Sequence, residues 1–253
     1  MKLAIAGKGG SGKTSISGTM ARLLARDGHD VLAIDGDSNP NLAVTLGMPP
    51  ERMDRLATLE PTMVRRTTSG TAELTSPLEE IFDTHSVIGP DGVRLLVMAH
   101  PQHAGTGCLC SVHATVRSVI EVSAQGDGDV CILDTEASPE HLSRGTTRHV
   151  DAMLCVVEPY YKSLETGRRM AALGADLGLP RVALVANKIR DEREHEAVMT
   201  FAERHGLDVA GVVPFDDSMP AAERAESAPL DFAPDSPAVR AIGDLARSVV
   251  AHG

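Results

Sequence analysis

The chain has 253 residues, a formal net charge of −11 and 2% aromatic residues. A chain of that length builds an α/β core without needing disulfides or a structural metal. The acidic balance excludes a dedicated nucleic-acid binder with a basic face, and the scarcity of rings excludes a base-stacking platform.

Lys2 alone precedes the first apolar run, which is no signal peptide, and no stretch approaches the roughly 18 apolar residues of a membrane span. A cytoplasmic protein with no membrane or nucleic-acid partner is expected. Its four cysteines then read as free thiols or metal ligands rather than disulfides. Residues 2–6 predict the first strand. Residues 12–26 predict a helix with Ile16, Met20, Leu23 and Leu24 along one face. Residues 31–35 predict a second strand. Residues 48–92 are polar and irregular with no clear strand, and are expected to form a helical or loop insertion. Further strands are predicted at 94–98, 130–134, 153–158, 182–187 and 208–213. Helices are predicted at 112–124, 162–177, 190–205 and 236–251. The strand runs are apolar throughout rather than alternating, as in parallel strands buried on both faces. Their alternation with helices implies right-handed βαβ units. The expected fold is α/β: a doubly wound, mostly parallel sheet flanked by helices, in a single domain over residues 1–253.

Residues 7–14, GKGGSGKT, match G-x-x-x-x-G-K-[ST] between a predicted strand and a predicted helix, the context that gives this motif its meaning. Gly7, Gly9, Gly10 and Gly12, with Ser11 and Ser15, let backbone N–H groups close around phosphate oxygens at a helix N-terminus. Lys13 reaches the β- and γ-phosphates, and Thr14 ligates Mg²⁺. Lys8 has no place in that template. It reads either as a solvated surface lysine or as a reach across a two-fold axis to a partner's nucleotide.

The run KGGSGKT resembles the deviant Walker A loop of the MinD/ParA/nitrogenase-iron-protein class of SIMIBI-type P-loop ATPases. The resemblance implies a Mg²⁺-dependent ATPase that binds ATP and ADP and forms an ATP-sandwich homodimer. In it, Lys8 contacts the opposite protomer's nucleotide and, with Lys13, stabilises charge during hydrolysis. It also assigns Asp37, in IDGDSNPN, to orienting the attacking water and bonding to the Mg²⁺ shell; its neighbour Asp35 reads, apart from the resemblance, as a turn cap. Asp134, in ILDTEAS, matches the Walker B and switch II aspartate. Asn187, beside Lys188 in ANK, matches the adenine-reading asparagine, and Pro214 in VVPFDD a second base contact.

Cys108 and Cys110, in GTGCLCSVH, precede the predicted helix at 112–124. Thiolates spaced i and i+2 on an extended segment point the same way and supply half of a tetrahedral site, and a two-fold axis supplies the rest. The bland reading is two small core residues. Cys131 and Cys155, inside predicted strands, read as core. The cysteine pair, EASPEHLSRGT and VVEPYYKSLETGRRMAALGADLG together resemble the CooC-type nickel-insertion ATPases, which serve carbon monoxide dehydrogenase. That resemblance implies nickel or zinc held between protomers and a client metalloenzyme. The chain departs from the family at Ser138 and Pro139, and at Ser111, Val112 and His113. His100, His103 and His113 read as solvated histidines or as added ligands. Two other readings compete: a positioning or partition ATPase, and an electron-donating ATPase with an Fe–S cluster.

Overall fold

All seven apolar runs become strands of one sheet in the computed structural model, which describes residues 1–53, 56–67, 72–98, 110–137 and 145–251. In chain order the strands are β1 (Lys2–Gly7), β2 (Asp30–Gly36), β3 (Val64–Arg66), β4 (Ala72–Leu74), β5 (Val87–Ile88), β6 (Arg94–Val97), β7 (Asp129–Thr135), β8 (Ala152–Val157), β9 (Arg181–Ile189) and β10 (Asp208–Pro214). The helices are α1 (Lys13–Arg26), α2 (Leu42–Thr45), α3 (Pro50–Met53), α4 (Leu78–His85), α5 (Cys110–Val122), α6 (Tyr161–Asp176), α7 (Glu192–His205), α8 (Ser218–Arg224), α9 (Pro229–Phe232) and α10 (Pro237–Ala251). The five helices expected from periodicity all form, each within two residues of its expected ends.

The main sheet runs β10-β9-β8-β1-β7-β2-β6-β5, parallel at every pairing except β5 with β6. The chain leaves β1 for β2 and β6 on one side, then fills the other side with β8, β9 and β10. Strand order therefore reverses at β1, and the crevice at the carboxyl ends opens there. Both faces are covered. Leu3 and Ile5 pack with Ile16, Met20 and Leu24 of α1 and with Ile242, Leu245 and Val249 of α10. Ala4 and Ala6 face the other way, into a cluster with Val116, Val119 and Ile120 of α5 and Met170 of α6. Continuous apolar runs in the sequence thus correspond to strands sandwiched between helices.

Residues 48–92 hold strands where none was expected. β3 and β4 form an antiparallel ladder, and β5 closes the sheet edge antiparallel to β6. Their sequences, VRR, AEL and VI, are too short to carry a period, and those of β3 and β4 are polar enough to break any apolar run. α4 follows, with Ile81 buried and Leu78 and Phe82 packed on the core at i, i+3 and i+4 spacing. Among the described residues no helix is long and apolar enough to cross a membrane.

Candidate functional site

The phosphate loop joins the end of β1 to the start of α1, so its position is set by the middle of the sheet. Gly7 lies against β8, where a Cβ would meet the Val156 carbonyl oxygen at 2.5 Å. Gly12, at φ 96, takes the left-handed backbone that lets the chain turn into the helix. Ser11 is fully buried, and its hydroxyl has no hydrogen-bond partner among the described residues. Lys13 is 6% exposed, with Nζ 3.4 Å from the Lys8 carbonyl oxygen. Burial pulls its ammonium below the ordinary lysine value, while Asp134, Asp37 and Glu136 oppose that shift.

Beside the loop sits a cluster of acids at the carboxyl ends of β2 and β7. Asp35 and Asp134 are register partners across the β2–β7 ladder, and both are buried. Asp134 accepts from the Thr14 hydroxyl at 2.6 Å through one oxygen, and its other oxygen lies 3.0 Å from Ser17 Oγ. Burial pushes its carboxyl up to about 7, with the Asp35 charge adding to the shift and the two hydroxyls opposing it. Burial likewise pushes Asp35 up to about 6. Asp35 accepts backbone bonds from Asp37 and Leu42, so it caps the turn that carries Asp37 and the start of α2, as expected of it. Asp37 accepts from the Asn39 N–H at 2.9 Å, and its charge is felt at Lys13. Thr14, Asp37 and Asp134 offer hard oxygen donors, the set that suits Mg²⁺. Crowded carboxylates whose pKa values are raised by burial and by one another are also where a divalent cation gains most. When bound, that cation would neutralise phosphate charge next to Lys13.

A cavity of about 710 Å³ runs from the loop to the far end of the sheet, lined by Gly12, Thr14, Asn187, Lys188, Pro214 and Phe215 among others. Its size suits a small organic ligand such as a nucleotide. The three sequence-picked residues of β9 and β10 therefore face the same space as the phosphate loop. Asn187 is more constrained than expected. Its Nδ2 donates to the Ser11 carbonyl at 2.7 Å, and its Oδ1 accepts from the Lys188 N–H at 2.9 Å. Lys8 is half-buried, with Nζ 3.3 Å from the Tyr160 hydroxyl of its own chain.

Sequence reading missed Ser17, Glu158, Tyr160, Arg190 and Phe215. Ser17 was findable, because it sits at i+3 from Thr14 and so shares its helix face. Arg190 stacks over the Phe215 ring at 4.0 Å across the β9–β10 pair, and no local pattern in the sequence announces it.

Cys110 is the first residue of α5, which begins two residues before the expected start, so it is helical rather than part of an extended segment. Cys108, His100 and His103 lie outside the described residues. His113, expected to be solvated or a ligand, is 4% exposed, with Nδ1 3.2 Å from Thr146 Oγ1, so the solvated reading is corrected. Among the described residues no group of three or more His, Cys, Asp or Glu could hold a metal ion. Cys131 and Cys155 are core residues as expected, with thiols pushed by burial up to about 11 and about 12.

Residues 2–240 match the family described as the CobQ/CobB/MinD/ParA nucleotide binding domain. The chain belongs to this family. It is a nucleotide-binding ATPase of the MinD/ParA class, as the phosphate loop implied. Among curated proteins it is 34% identical to the carbon monoxide dehydrogenase accessory protein CooC of Rhodospirillum rubrum, over 92% of this chain and 91% of that one. An uncharacterised ATP-binding protein of Methanocaldococcus jannaschii is 37% identical over 87% of each chain. Two solved structures of this class share the fold. MinD of Pyrococcus horikoshii, complexed with Mg-ADP, has a TM-score of 0.75 at 19% identity, covering 98% of this chain and 95% of that one. MinD of Aquifex aeolicus has a TM-score of 0.73 at 20% identity, covering 100% and 98%.

Proposed function

We propose that this MinD/ParA-class ATPase is a cytoplasmic metallochaperone. It dimerises with Mg-ATP, binds nickel or zinc through Cys108 and Cys110 of two chains, and assists metal insertion into an enzyme such as carbon monoxide dehydrogenase. The observation that carries this reading is the similarity to the CooC of R. rubrum along nearly the whole of both chains. Lys8, Lys13 and Asp37 would carry hydrolysis. Gly7, Gly9, Gly10, Gly12, Ser11, Thr14 and Ser15 would hold the phosphates, with Asp134 beside Mg²⁺ and Asn187, Lys188 and Pro214 towards the base.

One feature of the chain supports the metal arm. Cys110 is the first residue of α5. His113, one turn further along α5, bonds Thr146 in the segment that follows Asp134 and Glu136, so the cysteine helix touches the chain leaving the nucleotide site. The positioning or partition reading loses support from α10. Its apolar residues Val239, Ile242, Leu245 and Val249 are buried in the core rather than offered to a membrane.

Metal analysis of the purified chain tests the proposal. The expected ratio is one nickel or zinc per two chains, with metal lost and ATP binding kept when Cys108 and Cys110 are both changed to Ser. Cys131→Ser should keep the metal. Affinity should fall as pH drops, because protons compete for the thiolates. Full metal retention in the double variant would end the metallochaperone reading and leave the ATPase without that output.

A further inference from the structure

Two consecutive carbonyls of the phosphate loop are tethered by two consecutive residues at the end of β9. Asn187 Nδ2 donates to the Ser11 oxygen at 2.7 Å, and Lys188 Nζ donates to the Gly10 oxygen at 2.6 Å. A trans peptide points its N–H opposite to its C=O, so tethering the Ser11 oxygen to β9 turns the Gly12 N–H away from β9. Lys188 reaches the loop from a left-handed backbone at φ 61, a conformation an L-residue keeps only where its surroundings over-determine it.

Glu158 determines the Lys188 side chain. It stands just past the end of β8, whose Val156 is in register with Gly7 of β1, and it lines the same cavity as Gly10 and Lys188. Its Oε1 lies 2.9 Å from Lys188 Nζ, and the Glu158 side chain is 15% exposed. Its Oε2 accepts from the Tyr160 hydroxyl at 2.8 Å. The Tyr160 oxygen in turn accepts from Lys8 Nζ at 3.3 Å, with the ammonium 5.2 Å from the ring centroid. One carboxylate therefore stands between two ammonium groups that flank the loop. Charge-assisted bonds are about twice as strong as neutral ones, and this carboxylate links the two lysines, Lys188 directly and Lys8 through Tyr160.

We propose that Glu158 is a positioning residue of the nucleotide site. One oxygen keeps Lys188 on the Gly10 carbonyl and so sets the shape of the phosphate loop. The other keeps Lys8, through Tyr160, at the loop's mouth. The proposal rests on nucleotide binding alone and stands whether or not Cys108 and Cys110 bind metal.

Calorimetry of Mg-ADP binding to the full chain tests the first arm. Glu158→Gln and Lys188→Met should each weaken affinity by about fivefold or more, because a charge-assisted tether is lost. The double variant should be no weaker than the worse single one, since both break the same tether. A general structural defect would instead add the two losses and lower the melting temperature of the nucleotide-free chain in step. Acylation of the nucleotide-free chain with an N-hydroxysuccinimide ester, read by peptide mass spectrometry, tests the second arm. Lys8 should react several-fold faster in Tyr160→Ala and Glu158→Gln than in wild type. Wild-type or tighter Mg-ADP affinity in Glu158→Gln, additive losses in the double variant, or unchanged Lys8 labelling would each overturn the proposal. If Glu158→Gln does not fold, Lys188→Met and Tyr160→Ala carry the same two readouts.

Discussion

Asp134 shows how a single buried side chain sets stability against function. Its carboxyl is pushed by burial up to about 7 from an ordinary 3.8. An acid whose pKa is raised in the fold stabilises it while protonated. That contribution is complete below about 3.8 and is lost as pH climbs through about 7. Asn keeps the shape without the charge: its oxygen still accepts from Thr14, and its amide donates to Ser17 Oγ, whose proton is then free for the Lys13 carbonyl 2.9 Å away. Asp134→Asn should therefore raise the melting temperature of the nucleotide-free chain at pH 8 by about 2–4 °C per kcal/mol gained. The gain should shrink towards pH 5, and hydrolysis should be lost. A variant less stable than wild type at pH 8 would show that the buried charge is already compensated. Residues such as Asp134 and Asp35 were legible because each ends an apolar run, where the sheet presents its carboxyl edge. Glu158 and Tyr160 were not. Tyr160 meets Lys8 of the loop 152 residues away, Glu158 meets Lys188 from another strand end, and no local period encodes either meeting.

At the scale of elements, the strands and helices that build the two faces were readable because burial writes itself as unbroken apolar runs and 3.6-residue stripes. β3, β4 and β5 were not, because three-residue and two-residue strands at the periphery are held by their ladders more than by their side chains. The start of α1 was readable from its glycine loop, but its other anchor was hidden. Arg22, 3% exposed, sends Nε to Asp91 at 2.6 Å and its two terminal nitrogens to Asp231 at 2.6 and 2.8 Å. It thus ties α1 to the turn before β6 and to α9. Arg22→Met keeps much of the stem's packing but leaves both acids without this partner, and should cost about 1–3 kcal/mol. Thermal unfolding should register that loss while Mg-ADP affinity stays within about twofold, since the network and the phosphate loop share no partner. A large drop in affinity would mean that the outer end of α1 helps shape the loop at its inner end.

At the scale of the whole molecule, the question raised by Lys8 becomes one of assembly. Within its own chain the ammonium rests on Tyr160 rather than on Lys13's side of the loop. On the proposed dimer reading it leaves that rest to meet the nucleotide of the other chain. Each competent site then needs Lys13 from one protomer and Lys8 from its partner. Lys8→Ala should still bind nucleotide as a monomer, but ATP should no longer drive dimerisation strongly. The missing charge-assisted contact, on the order of 1.5–3 kcal/mol, corresponds to roughly tenfold or more in the dimer constant. Lys13→Ala should fail to bind nucleotide tightly. Neither variant should hydrolyse ATP alone. Mixed in equal amounts they form heterodimers in which one site pairs the intact Lys13 of one chain with the intact Lys8 of the other, while the second site lacks both. Each mixed dimer has one working site of two, so per mixed dimer about half of wild-type turnover should return. Recovery on mixing can arise only when the two lysines act from different chains. A mixture as inactive as its components, at concentrations where sedimentation shows heterodimers, would place Lys8 in the site of its own chain.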